Sequence, residues 1–129
     1  MRPLLAILLA TLWISFSEFL RNEILLKAYW VNHYKAMGLV FPSDPVNGAI
    51  WGFWSLLFAI AIFIISRKFT LGQTTFLSWF VAFVLMWVVL GNMNVLPFDL
   101  LRYAIPLSLL ESFLAAWIIH YFKKKTQDA

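Results

Sequence analysis

The chain has no cysteine. Disulfides, thiol nucleophiles and cysteine-ligated metals are therefore excluded, and the redox compartment is left open. Charge is scarce too: 12% of the 129 residues are Asp, Glu, Lys or Arg, against 63% that are hydrophobic. A soluble domain is about one quarter charged and about half apolar, so this chain lacks the polar surface to cover a soluble globule. Its net charge of +4 sits at the ends of apolar runs. That is the pattern of loops flanking membrane spans, and nucleic acid is not an expected partner. No nucleophile–base arrangement, phosphate-binding loop or zinc motif is present.

What the chain has instead is long apolar stretches. Runs at about 3–20, 48–66, 74–92 and 100–122 each approach the ~20 residues that a helix needs to cross the hydrocarbon. Backbone polar groups in lipid must be satisfied within the span, which selects helices or closed barrels. Barrel strands would alternate polar and apolar residues, and these runs do not. Seven Trp and an aromatic content of 19% fit interfacial belts. The expected fold is an all-α integral membrane protein, a single four-transmembrane-helix bundle with helices at about 3–36, 48–66, 74–92 and 100–122. The first helix is expected to extend beyond the outer interface, because the polar residues of 24–37 (Lys27, Asn32, His33, Lys35) share no single face.

Residues 38–47 hold two prolines and a glycine, 67–73 begin Arg-Lys, and 91–99 combine glycine, two asparagines and a proline. These are turn signals. With four spans, Arg2, Arg67, Lys68, Lys123, Lys124 and Lys125 share one side, so both termini are expected in the cytoplasm, with a bacterial inner or cell membrane as host. Arg2, the first run and Ser15-Phe-Ser17 also fit the outline of a cleaved signal sequence. The weak n-region and the polar pattern that continues past residue 17 favour a retained helix.

At about 100° per residue, each run shows one small or polar stripe. These are Thr11, Ser15, Glu18 and Asn22; Gly48, Gly52, Ser55, Ala59 and Ser66; Thr75, Ser78 and Ala82; and Ala104, Ser108, Glu111 and Ala115, with Ser112 at the edge. Small residues let membrane helices approach closely, and Gly48-x-x-x-Gly52 is such a motif. Packing accounts for the small residues but not for Glu18 and Glu111, since charge at bilayer depth costs ~2.5–3.5 kcal/mol or more. Glu111 falls near mid-membrane. Glu18 falls in the outer half, with Arg21 one turn further out and spaced to pair with it.

The expected site is a polar pocket between the helices, open to the outer face and floored by Glu111. Its candidate residues are Glu18, Arg21, Asn22, Glu111, Ser108, Ser15, Asn47 and Asn92. Two carboxyls in unlike surroundings make a plausible proton-exchange pair, and a fixed Glu18–Arg21 bridge is the bland alternative. His33 lacks recognisable metal-ligand spacing with Glu23 and Asp44, and no metal or other cofactor is expected. Trp13 and Trp87 point away from the small stripes, towards lipid or a neighbouring helix. Pro106 is placed to kink the fourth helix near Glu111.

In outline the chain resembles the small multidrug resistance family, whose members are four-helix chains of little over a hundred residues with one essential carboxylate in the first helix. Glu18 sits at a comparable place. The resemblance implies a dimeric exchanger with Glu18 in the exchanging role; Arg21 and Glu111 lie outside that family's pattern. The residues themselves leave three readings open. One is a binder or transporter of a small solute, cation or proton. Another is a non-catalytic membrane-complex subunit or scaffold. The last is an intramembrane enzyme acting on a lipid-like substrate. The expected partners are the lipid bilayer, a small solute or proton, and further copies of the chain through its small-residue helix faces.

Overall fold

The computed structural model describes residues 2–128, with side chains through Lys123. Lys124 and Lys125, part of the expected positive flank, lie outside the described side chains. The described residues are helical with short turns and contain no strand. Helix α1 (Arg2–Phe19) runs into a π-helical segment, Leu20–Leu25, and α2 (Lys27–Ala36) comes next. Helix α3 spans Pro45–Ser66. Helix α4 (Leu71–Trp79) passes through a second π segment, Phe80–Val84, into α5 (Leu85–Asn92). A 3-10 turn at Phe98–Leu100 leads into α6 (Leu101–Asp128).

Four continuous helical stretches are long and apolar enough to cross a membrane: Arg2–Leu25, Pro45–Ser66, Leu71–Asn92 and Phe98–Lys123. Their 24, 22, 22 and 26 residues correspond to roughly 33–39 Å of helix. Large apolar side chains cover their outside, among them Leu12, Phe53, Val88 and Leu110. A surface of that kind is not built for water.

The expected continuous helix over 3–36 is interrupted. Leu26 leaves helical geometry (φ −114°, ψ 7°), and α2 begins after it. Leu26 is itself buried, packed with Leu96, Leu100 and Ala104, so the break anchors α2 to the start of α6. His33 joins the same end through a 2.9 Å contact between Nε2 and the Asn94 carbonyl.

The turns arise from local chemistry. Gly38 (φ 75°) and Asn94 (φ 62°) stop α2 and α5 in the left-handed region, as helix C-termini commonly do. In each case the next residue closes the turn, Leu39 N–H to the Tyr34 carbonyl at 2.9 Å and Val95 N–H to the Leu90 carbonyl at 3.1 Å. Thr70 and Gln73 start α4 with reciprocal bonds of 3.1 and 3.2 Å, a capping box. Pro45 opens α3, and Asn47 accepts the Asp44 N–H at 3.0 Å.

Helix α1 packs against α6 and α3, and α4 packs against α6. Small residues make these approaches close. Ala6 and Ala10 of α1 meet Ala115 and Ala116 of α6, with Ile14, Ile62 and Ile119 filling the interior. The lysine at the end of the last span, Lys123, donates to the Ser66 carbonyl at 2.6 Å and to its hydroxyl at 3.2 Å. A cation at a helix C-terminus is favourable, and here it ties α6 to the end of α3. This is the end that carries the termini. The opposite, far end carries α2 and the 37–44 and 93–97 turns.

The two π segments correct the expected stripes. A π turn takes in an extra residue and rotates the rest of the helix beyond it. Leu26 N–H bonds to the Arg21 carbonyl, five residues back, at 2.7 Å, and Arg21 and Leu26 are both buried. In the third span Ser78 and Phe83, also five apart, are buried. Phe83 therefore takes the inward place expected of Ala82, and Leu26 rather than Leu25 turns inward after Arg21. Thr74, not Thr75, is the buried threonine.

Candidate functional site

Three charged side chains from distant parts of the chain meet inside the fold. Glu18 is 3% exposed, Arg21 6% and Glu111 0%. The Arg21 guanidinium donates Nη2–H to Glu18 Oε1 at 2.6 Å and Nη1–H to Glu111 Oε1 at 3.4 Å. Asn22 donates to the other Glu18 oxygen at 2.9 Å, and Trp30 donates its indole N–H to Asn22 Oδ1 at 3.2 Å. The indole N–H of Trp13 reaches the Glu111 backbone carbonyl at 3.0 Å. A hydrogen-bonded line thus runs from α2 through the first span to α6.

The aromatic surroundings hold Arg21 in place. Its guanidinium carbon lies 5.0 Å from the centroid of the Phe83 ring, within cation–π range. Phe83 in turn meets Trp54, Phe58 and Trp87 at centroid distances of 5.9, 5.7 and 5.9 Å. The two partners, Arg21 and Phe83, come from the two π segments. The extra residue in the third span turns Phe83 inward, five residues after buried Ser78, whereas Arg21 keeps the face of Ile14 and Glu18 at regular helical spacing.

One guanidinium faces two carboxyl groups. With both carboxyls ionised the cluster carries a net negative charge, and with one proton between them it is neutral. Burial makes the difference costly, because a charge without a partner in the interior is heavily penalised. The second oxygen of Glu111, Oε2, has no hydrogen-bond partner among the described residues.

Two cavities open beside the cluster at the far end. The first, about 390 Å³, is lined by Ser15, Glu18, Asn22, Asn47, Gly48 and Gly52, among others. Glu23 and Asp44 also face it, and Lys27 pairs with Glu23 at 3.1 Å. The second, about 350 Å³, has Arg21 in its wall with an aromatic and aliphatic lining that includes Trp30, Tyr34, Phe41 and Trp87. Asn22, Glu23, Pro42, Asn47 and Trp51 belong to both walls. Within the chain, the Gly48-x-x-x-Gly52 motif does not close a helix pair: a Cβ added at either glycine would meet nothing within 4 Å. The glycines leave room for the first cavity instead.

The expected site residues therefore fall into three groups. Glu18, Arg21, Asn22 and Glu111 form one bonded cluster, with Ser15 and Asn47 across the first cavity. Glu111 floors neither of these two cavities and stands behind Arg21. Ser108 is buried but turned to the third span, accepting from Trp79 Nε1 at 2.9 Å and donating to the Ile105 carbonyl. Asn92 is exposed at the end of α5 and lines neither cavity. No group of three metal-ligating side chains occurs among the described residues.

Sequence reasoning missed Phe83, Trp30 and Trp79. Aromatic residues in an apolar run carry no mark of a polar partner. The i,i+8 spacing of Asn22 and Trp30 is legible only once the break at Leu26 is known. Comparison with protein-family models, curated proteins and solved structures finds no match to this chain.

Proposed function

We propose that this chain is a multi-pass integral membrane protein, a four-helix bundle with both termini in the cytoplasm. It binds a small solute or cation in an outward-facing far-end cavity, and that binding is coupled to a proton held between Glu18 and Glu111. The apolar exterior of the long helices supports insertion. The cations Arg2, Arg67, Lys68 and Lys123 gather at the termini end, which supports the orientation through the positive-inside bias.

One observation carries the site reading. Glu18 belongs at once to the buried ionic cluster and to the wall of the first cavity. A cation arriving in that cavity competes with Arg21 for Glu18, and the charge released on Arg21 is felt by Glu111. Intramembrane carboxylates mark ion and proton pathways.

The test uses purified protein in lipid vesicles that enclose a pH-sensitive dye, challenged with gradients of sodium, potassium or small alkylammonium ions. The reading requires ion-dependent proton movement that Glu18→Gln abolishes. The fold tolerates that change, because Arg21 keeps Glu111 as partner and the cluster becomes neutral. Proton movement that survives Glu18→Gln, or no response to any of these ions, rejects the reading.

A second reading, a non-catalytic subunit or scaffold, is favoured by a different fact. Both Glu18 oxygens already have partners within the protein, so the cluster also serves as a clamp between α1 and α6. The enzyme reading draws least support. His33 and His120 contact Asn94 and Thr74, not the carboxyls that would need a catalytic partner.

A further inference from the structure

The half of the fold between Glu111 and the termini holds buried polar groups that the site above does not use. Ser78 Oγ and Ser112 Oγ are buried without a partner among the described residues, as is Glu111 Oε2. Buried hydroxyls in helices ordinarily turn back onto their own carbonyls. Ser55 does so at 2.9 Å, Ser66 at 2.7 Å and Ser108 at 3.1 Å. Ser78 and Ser112 do not. A hydroxyl buried without a partner costs free energy, and alanine would fill the same place without that cost.

Ser78 and Ser112 share one seam, and the Glu111 carboxyl, one residue before Ser112, adjoins it from the side of the first span, where Arg21 meets it. The antiparallel pairing of α4 and α6 is fixed at two points, Trp79 Nε1 on Ser108 Oγ at 2.9 Å and His120 Nε2 near Thr74 Oγ1 at 3.4 Å. Thr74 and Ser78 are four apart on α4, and Ser108, Ser112 and His120 lie along the i,i+4 ridge of α6. Residues four apart stack on one helix face. Ser78 and Ser112 therefore lie between the two fixed points, with Glu111 beside Ser112 and His120 at the termini end.

We propose that Ser78, Ser112 and Glu111 hold a short file of ordered water that continues through Thr74 to His120, and that this file is the proton path between the ionic cluster and the termini end. Bridging water of this kind is the usual partner of buried polar groups left over by the protein. A proton leaves the Glu111 carboxyl for the first water. Each water passes one proton on as it receives one, and the last proton reaches a His120 ring nitrogen and then solvent. Glu111 is left as a carboxylate beside Arg21, and no bond to carbon is made or broken. Hydration of the seam stands apart from any solute, whereas its use as a coupling path rests on the site reading above.

Solid-state NMR of the full chain in lipid bilayers tests the hydration directly, by transfer of water magnetisation to Ser78 Cβ, Ser112 Cβ and Glu111 Cδ. Build-up as fast as at Ser15, and several-fold faster than at Ala59 and Ala115, is expected; build-up as slow as at those two alanines overturns the proposal. Proton movement in dye-loaded vesicles should fall at least tenfold in Ser78→Ala and Ser112→Ala, and an unchanged rate overturns the path. The two readings fail separately. A wet seam without ion binding sinks the cavity reading and the coupling path with it while the hydration stands, and ion binding beside a dry seam sinks this inference alone.

Discussion

The guanidinium of Arg21 stands 5.0 Å from the ring centroid of Phe83, and each residue lies within a π-helical segment of a different span. π turns are uncommon and recur at functional sites. Here the one in the third span turns the Phe83 ring towards a cation that regular helical spacing already places on the face of Glu18, in the interior where Glu18 and Glu111 converge. Arg21 is thus held by charge on one side and by a ring on another.

Removal of Arg21 alone should be the most damaging single change in the site. Arg21→Met leaves two buried carboxyls without their cation, and breaking a buried pair this way costs about 3–5 kcal/mol. The triple variant Arg21→Met, Glu18→Gln, Glu111→Gln removes the uncompensated charge and should recover most of that loss. Thermal unfolding in detergent measures both. A triple variant no more stable than Arg21→Met would show that charge is not what the cluster balances.

The platform makes a separate claim. Phe83→Leu keeps an apolar residue but removes the ring beneath Arg21 and its contacts with Trp54 and Phe58. A desolvated cation–π contact is worth up to about 2 kcal/mol. A double-mutant cycle with Arg21→Met should give a coupling of at least ~0.5 kcal/mol, as touching residues do. Strict additivity of the two changes would rule out a direct interaction.

Much of this was legible from the residues alone, and the exceptions share a cause. The four long apolar helices stand where the apolar runs predict them, because span length is set by bilayer thickness. Glu18, Arg21 and Glu111 stand out because charge inside an apolar run demands a reason. The face that each residue occupies depends on a constant 100° step, which holds only for an α-helix. The extra residues at Leu20–Leu25 and Phe80–Val84 break that step without leaving a proline or glycine as a sign. Leu26 and Phe83 therefore turn inward unannounced, each five residues after a buried neighbour. Gly48 and Gly52 fit both a tight helix crossing and a cavity wall, and only the position of the neighbours separates the two.

That separation can be tested at Gly52. In a tight crossing, any larger side chain would push the helices apart. Beside a cavity, Gly52→Ala meets no neighbour and should raise stability by about 0.5–1 kcal/mol, because glycine weakens a helix interior. Gly52→Leu should fold with little loss and fill part of the first cavity, reducing ion binding at least tenfold. A strongly destabilised Gly52→Leu would restore the packing role.

The two asparagines of the expected site should behave differently. Asn22 bridges Glu18 and Trp30, and Asn22→Ala removes both bonds at a net cost of about 1–3 kcal/mol, since one of them is to a charged group. Asn92 is exposed and lines neither cavity, so Asn92→Ala should stay within about 0.5 kcal/mol of the parent and leave ion binding unchanged. Denaturant titration of the pair checks the contrast, and equal effects would place Asn92 back in the site.

Trp13 offers the clearest test of how α1 is held to α6. Its indole N–H reaches the Glu111 carbonyl at 3.0 Å across 98 residues of sequence. Trp13→Phe keeps an aromatic ring for the packing contact with Phe16 but removes the donor. A typical internal hydrogen bond contributes about 0.5–1.5 kcal/mol net, and loss of that order is expected here. Trp117→Phe is the control: Trp117 is 45% exposed and stacks on Tyr121, a contact that phenylalanine keeps. Because Trp13 bonds to the backbone of Glu111 rather than its carboxyl, Trp13→Phe should lower the unfolding midpoint while ion-driven proton movement keeps its dependence on Glu18. Loss of that dependence at unchanged stability would mean that Trp13 positions Glu111 for exchange, beyond fastening the two helices.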